Sequence, residues 1–333
     1  MKIFTRLNTL LLSSMCSFVT HNCFAQPDNF TPGLSGSISL NVGVSQSQSQ
    51  SSTHDDNAIT PNLTNNGKQT EQVLPFILGR LQYSFGDTLL FLGNSEDQIA
   101  EAQFQAELGL SQKLSKNTIL TAALFGNAPS MDEVWQDPYL TSQKRVSTEQ
   151  TVRGARVAFD LNVLIPIKIK YAFAQSKVDH DNIGVSQGLS IAEANLLGRK
   201  SDYHRFGTEV TLPLARSFVL SPAFYYTMRD AQGEAKSFDE LSAQLSILFS
   251  KSRHNLITTV RTSQAEFDSQ NPVFDLKQDY DSLGIFSVYS YHSPFNWKNT
   301  QIHVMAGYQQ RDSDIEFYDT DSTFLSSGMS YNF

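Results

Sequence analysis

Every second side chain of SISLNVGVS (37–45) is apolar: Ile38, Leu40, Val42 and Val44 share one face, and Ser37, Ser39, Asn41, Gly43 and Ser45 share the other. A period of two is the signature of a β-strand, because successive side chains leave the pleat on opposite sides. The pattern recurs in AQFQAELGLS (102–111), IPIKIKYAFA (165–174) and LSAQLSILF (241–249).

Fourteen segments carry the pattern, over 34–45, 73–85, 88–92, 101–112, 118–126, 149–161, 163–176, 203–213, 218–229, 237–249, 256–267, 280–291, 299–310 and 322–333. LLFLG in the third is short, and YDSLGIFSVYSY in the twelfth is apolar on both faces, so twelve or sixteen strands also fit. The joins alternate in length. Short ones fall at Gly86-Asp87, 113–117, 161–163, 213–217, 250–255 and 292–298. Long polar ones fall at 46–72, 93–100, 127–148, 177–202, 230–236, 268–279 and 311–321. Short turns at one rim and long loops at the other are the plan of an outer-membrane barrel. A soluble sandwich gives no reason for sorting connections by side.

The N-terminus agrees with export. Lys2 and Arg6 precede the apolar stretch 7–19, and Cys23-Phe24-Ala25 has the form of a cleavage site, so residues 1–25 read as a signal peptide and 26–333 as one barrel domain. Both cysteines fall in the leader, which leaves no thiol chemistry in the mature chain. Without Lys2 and Arg6, the 25 basic residues become 23 against 33 acidic ones, a net of −10. That balance argues against nucleic acid as a partner. No later apolar run approaches the roughly 18 residues of a spanning helix, but a closed barrel crosses a membrane with strands of about ten. The fold expected is therefore all-β: a single closed antiparallel transmembrane β-barrel of fourteen strands.

Aromatics sharpen the orientation. Tyr83, Phe85, Phe159, Phe218, Phe249, Tyr289, Tyr291, Tyr331 and Phe333 lie beside proposed short turns, as in an interfacial girdle.

The closing SSGMSYNF resembles the C-terminal assembly signal of bacterial outer-membrane barrels, with Ser326, Gly328, Tyr331 and Phe333 in its fixed places. The resemblance implies recognition by the barrel-assembly machinery, and lipid and lipopolysaccharide as surroundings. WQDPYL (135–140), NPVFDLKQ (271–278) and IEFYDTDSTFLSSGMSYNF (315–333) resemble segments of a gammaproteobacterial family of outer-membrane proteins of unassigned function. That likeness implies the barrel and its location and supplies no activity.

With the apolar set facing lipid, the other set lines the interior. Strand phase points Arg80, Arg156, Lys168, Lys170, Arg205, Arg229 and Arg261 inward, with Glu107, Asp160, Glu209 and Glu240, and with Gln103, Gln105, Gln244, Gln301 and His303. Seven cations against four acids predict a mildly basic wall in an acidic protein. Such a wall would pass small polar or anionic solutes. Alternatively the charges pair across strands in a structural or adhesive barrel. Segment 127–148, with Trp135, Tyr139 and Leu140, fits either a constriction facing Arg80 and Arg156 or packing at the outer rim. SIAEANLL (190–197) fits one or two helical turns of a partial lid.

Catalysis has little in its favour. His54, His180, His204, His254, His292 and His303 sit in no hydrolase pattern, and no cofactor is expected. The acidic run 311–322 lacks the spacing of a calcium loop and reads first as solvated, with a rim calcium as the alternative.

Overall fold

The computed structural model describes residues 30–95, 105–127 and 132–333. The expected leader, Gln103 and the start of the strand expected at 101–112 lie outside the described residues. Fourteen antiparallel strands form the wall: β1 Gly33–Gln48, β2 Gln69–Ser84, β3 Thr88–Asn94, β4 Gln105–Ser115, β5 Thr118–Asn127, β6 Ser147–Leu161 and β7 Ile167–Val178. The second half comprises β8 Ser201–Val210, continued over Leu212–Ala215, then β9 Phe218–Ala231, β10 Phe238–Lys251, β11 His254–Phe267, β12 Tyr280–His292, β13 Thr300–Ser313 and β14 Thr320–Asn332. Each pairs with its neighbour in sequence, and β14 pairs with β1 from Ser37↔Asn332 to Gln48↔Asp321. The sheet is closed.

Closure follows from the pattern. A period-two strand buries one face and exposes the other, so a ring of such strands needs no second layer. In β1, Leu40 and Val42 are each 58% exposed, whereas Asn41 is buried. The belt continues through Ile77, Leu124, Phe224 and Leu241, the last 67% exposed. Rings fill gaps on the inner side. Phe91, Phe125, Tyr225 and Phe324 come within 2.4, 2.3, 2.6 and 2.8 Å of where a Cβ would stand on Gly109, Gly154, Gly207 and Gly43. An aromatic over a strand glycine restores the packing that the missing side chain gives up.

The connections are sorted as expected. Short turns lie at 85–87, 116–117, 162–166, 216–217, 252–253 and 293–299, and both ends of the wall share that rim. Gly86 takes φ +98°, which a tight turn requires and most residues resist. β7 starts at Ile167, four residues later than the alternation suggests. Val163, Leu164 and Ile165 form an exposed apolar turn instead, where Pro166 cannot donate to a ladder. The girdle residues Tyr83, Phe85, Phe159, Phe249, Tyr289, Tyr331 and Phe333 are exposed on this side, joined by Phe295 and Trp297 from the last turn. Long loops occupy the other rim.

Candidate functional site

The inner wall is charged over most of its circumference, and the charges meet each other. Glu107 is fully buried between two arginines, with Arg156 Nε and Nη2 at 2.9 and 3.0 Å and Arg80 Nη1 at 3.4 Å. Lys168 stands 3.2 Å from Asp160, and Lys170 Nζ donates to Glu209 Oε1 at 2.6 Å. The Tyr225 hydroxyl also donates to Glu209, and the Arg205 guanidinium lies 4.3 Å from the Tyr225 ring centre. Arg261 reaches Glu240 at 3.4 Å and Ser242 Oγ at 3.1 Å, while Tyr280 donates to the other Glu240 oxygen at 2.8 Å. These pairs satisfy the charges locally, as desolvated ions require.

Arg229 is held differently. Its Nε donates to Ser201 Oγ at 3.0 Å, and its guanidinium lies 5.4 Å from the Tyr203 ring and 5.9 Å from the Phe238 ring. Arg311 adds an eighth inward cation, 4.3 Å over the Tyr280 ring. Strand β13 runs to Ser313, beyond the alternation that ends at 310, and so carries Arg311 inward. Extending the odd-numbered phase of His303 and Met305 would have found it.

The remaining arc, from β12 to β14 and back to β2, mixes buried polar residues such as Asn41, His303 and Ser326 with an apolar patch. Leu74, Phe76, Leu78, Phe286, Val288, Met305 and Phe324 form one buried cluster on the inner face. These side chains share the phase of the lumen set, so the rule of apolar residues outside fails here. VLPFIL and IFSVY are apolar on both faces, and periodicity could not show which side mattered.

Described parts of several long loops pack together over the mouth at their rim. Tyr139, Ile183, Leu197, Ala235, Ile315 and Phe317 make a buried cluster drawn from separate loops. Beside it the Tyr139 and Tyr318 hydroxyls share a short hydrogen bond. Asn271 Nδ2 donates to both phenol oxygens at 2.9 Å. Lys236 Nζ donates to Tyr318 at 2.8 Å, to Gln278 Oε1 at 3.0 Å and to Tyr139 at 3.4 Å. Burial pushes the Tyr139 phenol up to about 12 and raises Tyr318 as well.

The described part of segment 127–148, from Asp132 onward, therefore belongs to this roof. Its Trp135 donates to the Gln50 carbonyl at 3.0 Å, and Arg145 lies over the Trp135 ring while donating to Gln50, Pro138 and Asn57. Its packing is at the outer rim, and Arg80 and Arg156 turn to Glu107 instead. The helix α1, Ile191–Asn195, starts on a capping box between Ser190 and Glu193. Leu197 beyond it is buried in the roof cluster.

The carboxylates of the acidic run 311–322 are solvated as expected, with Asp312, Asp314, Glu316 and Asp321 exposed, while Ile315 and Phe317 between them anchor the run in the roof. Among the described residues no three metal-ligating side chains gather. The histidines weighed for catalysis hold structural partners: His303 with Asn41 and Ser39, His204 with Tyr171, His254 with Tyr289 and His292 with Asn255.

Between roof and wall lies a chamber of about 150 Å³. Tyr203, Arg229, Phe238, Phe267, Tyr280 and Arg311 line its wall, and Trp135, Lys236 and Tyr318 face it from the loops. Asp132 and Glu133 are the acids in its lining, against Arg199, Arg229, Lys236 and Arg311. Arg199 is already paired, 2.7 Å from Asp181.

A family model described as "Protein of unknown function (DUF2860)" matches residues 33–332, from the first barrel strand to the last. The chain belongs to this family. Membership accords with the expected family of unassigned function and brings no activity with it. No curated protein matches. Similar solved structures include OmpTdeltaL8, a loop L8 deletion mutant of OmpT, an outer membrane protein of Vibrio cholerae. It is 8% identical over 90% of this chain and 99% of that one, with TM-score 0.47. The CymD monoaromatic hydrocarbon channel is 9% identical over 99% of both chains, with TM-score 0.47. An anion-selective porin from Comamonas acidovorans is 10% identical over 90% of this chain and 98% of that one, with TM-score 0.43. None shares enough sequence with this DUF2860 member to hand over a solute.

Proposed function

We propose that this DUF2860 member is an outer-membrane channel for small polar or anionic solutes, with its long loops as the outer roof. The apolar belt carries the membrane reading. A water-facing protein would not surround itself with side chains such as Leu40, Val42, Ile77 and Leu241, each more than half exposed. The girdle at the short-turn rim supports the same orientation, with that rim in the periplasm. The C-terminal Ser326, Gly328, Tyr331 and Phe333 are proposed as the signal for the assembly machinery, and Tyr331 and Phe333 are exposed at the rim that such a factor would meet.

The channel reading rests on the excess of inward cations. Arg80, Arg156, Lys168, Lys170, Arg205, Arg229 and Arg261, with Arg311, outnumber Glu107, Asp160, Glu209 and Glu240. After pairing, the net field inside favours anions. Purified, refolded protein in planar bilayers should show stepwise ion conductance with anion preference. Replacing Lys168 and Lys170 by Ala should reduce that preference. Persistent cation preference in the unmodified protein would sink the assignment of the wall.

The interlocked roof favours a second reading, a non-conducting structural barrel. Absence of conductance across repeated insertions would select it.

A further inference from the structure

We propose that the chamber under the roof is a binding site for a small aromatic carboxylate, with Arg229 as its anchor. The inference deepens the channel reading by naming a solute class, and it rests on that reading only for transport.

The class follows from size, shape and charge. A dry cavity of about 150 Å³ takes a single benzene-sized ring, and this chamber has that volume. Four of its wall residues are Tyr203, Phe238, Phe267 and Tyr280, and Phe238 packs edge-on or tilted against Phe267 and Tyr280 at centroid distances of 5.1 and 6.4 Å. Rings in this arrangement offer faces and edges to another flat ring. An aliphatic solute would gain burial here but none of that geometry.

Charge selects the acid. Arg229 is held between Tyr203 and Phe238 and tied to Ser201 through Nε alone. Among the described residues no carboxylate lies within ion-pair distance of it, unlike Arg80, Arg156 and Arg261, which have Glu107 and Glu240. A guanidinium fixed through Nε still has its terminal nitrogens, the pair that meets a carboxylate in parallel. The aromatic neighbours fix its plane without neutralising its charge. A ring against Phe267 and Tyr280 with its carboxylate on Arg229 uses both halves of the lining. A neutral ring would leave the cation unanswered, and acetate would leave the ring wall unused.

The test is equilibrium binding to refolded full-length protein in detergent micelles. The probe is labelled benzoate, compared with benzyl alcohol and with acetate. Benzoate should bind saturably, with benzyl alcohol and acetate each at least tenfold weaker. Arg229→Ala should weaken benzoate at least tenfold, and Arg229→Lys should fall between, since it keeps the charge and loses the fork. Benzoate binding no tighter than benzyl alcohol or acetate would overturn the proposal on the unmodified protein alone, whether or not the variants fold. Equal benzoate affinity in folded Arg229→Ala would overturn the anchor. Bilayer conductance on the same preparation separates the two readings. Binding without conductance removes the channel and keeps the site, and conductance without benzoate binding does the reverse.

Discussion

His303 Nε2 stands 2.6 Å from Asn41 Oδ1, although the strands that carry them, β13 and β1, are separated by β14. The two side chains meet over Gly328 of the intervening strand. A Cβ at Gly328 would fall 2.2 Å from Asn41 Oδ1 and 2.7 Å from His303 Nε2. The glycine of the C-terminal motif therefore has a local task at the seam where the sheet closes.

Gly328→Ala should destabilise the barrel by about 1–3 kcal/mol, the usual range for forcing extra atoms into a packed site. Ser327→Ala, on the outward face, should change little. The midpoint of urea unfolding in micelles measures both. Adding Asn41→Ala should recover part of the loss only, because the Leu40 carbonyl, 2.6 Å from the same Cβ position, stays in place.

Glu107→Gln leaves Arg80 and Arg156 facing a neutral amide. Breaking a buried pair by removing one partner costs about 3–5 kcal/mol, and the site is fully buried on the glutamate side. Stability should drop by that order. In bilayers, the reversal potential should move toward stronger anion preference. An unchanged reversal potential would show that Glu107 has no influence on the conducting path.

Tyr318→Phe removes the hydroxyl that accepts from Lys236 and Asn271. A buried donor left without its acceptor costs about 1–3 kcal/mol. The loss should fall on the roof, read as faster protease nicking of the long loops and more frequent open events in bilayers. The wall should keep its unfolding midpoint. Equal protease resistance would contradict the roof as an interlocked unit.

The same phenols give a pH signature. Burial raises Tyr139 to about 12 and also raises Tyr318, so the folded roof favours their neutral forms. A folded pKa above the unfolded value of roughly 10 contributes stability that is complete below that value. The contribution is then lost as the pH rises through about 12. Roof protection should be flat across neutral pH and fall in strong alkali. Tyrosinate absorbance should show a late step that shrinks in Tyr139→Phe and Tyr318→Phe. No late step would refute the burial of these two rings.

The wall was largely legible and the roof was not. Alternation such as Ile38, Leu40, Val42 and Val44 encodes both the strand and its facing, and the length of each join tells its rim. Phase alone groups Arg80, Glu107 and Arg261 on one face of their strands. Periodicity says nothing about partners, however, and the pairing of Glu107 with two arginines emerged only in three dimensions. In the roof, Tyr139 meets Tyr318 across 179 positions and Lys236 across 97. Each sits in a polar loop with no period to mark it. The inward position of Phe76 and Phe286 was hidden for another reason, because a strand apolar on both faces gives no phase.

The division of the inner wall bears on more than the sign of charge proposed to pass. Ion pairs run from β2 round to β11, and the opposite arc packs Phe76, Phe286, Met305 and Phe324 into a buried cluster. Under the channel reading, a solute inside this barrel would meet a different dielectric on its left and on its right. An amphiphile gains by turning its polar end to one side and its ring to the other. On that reading the interior would work less as a sieve than as a compass, fixing the heading of a molecule across the axis.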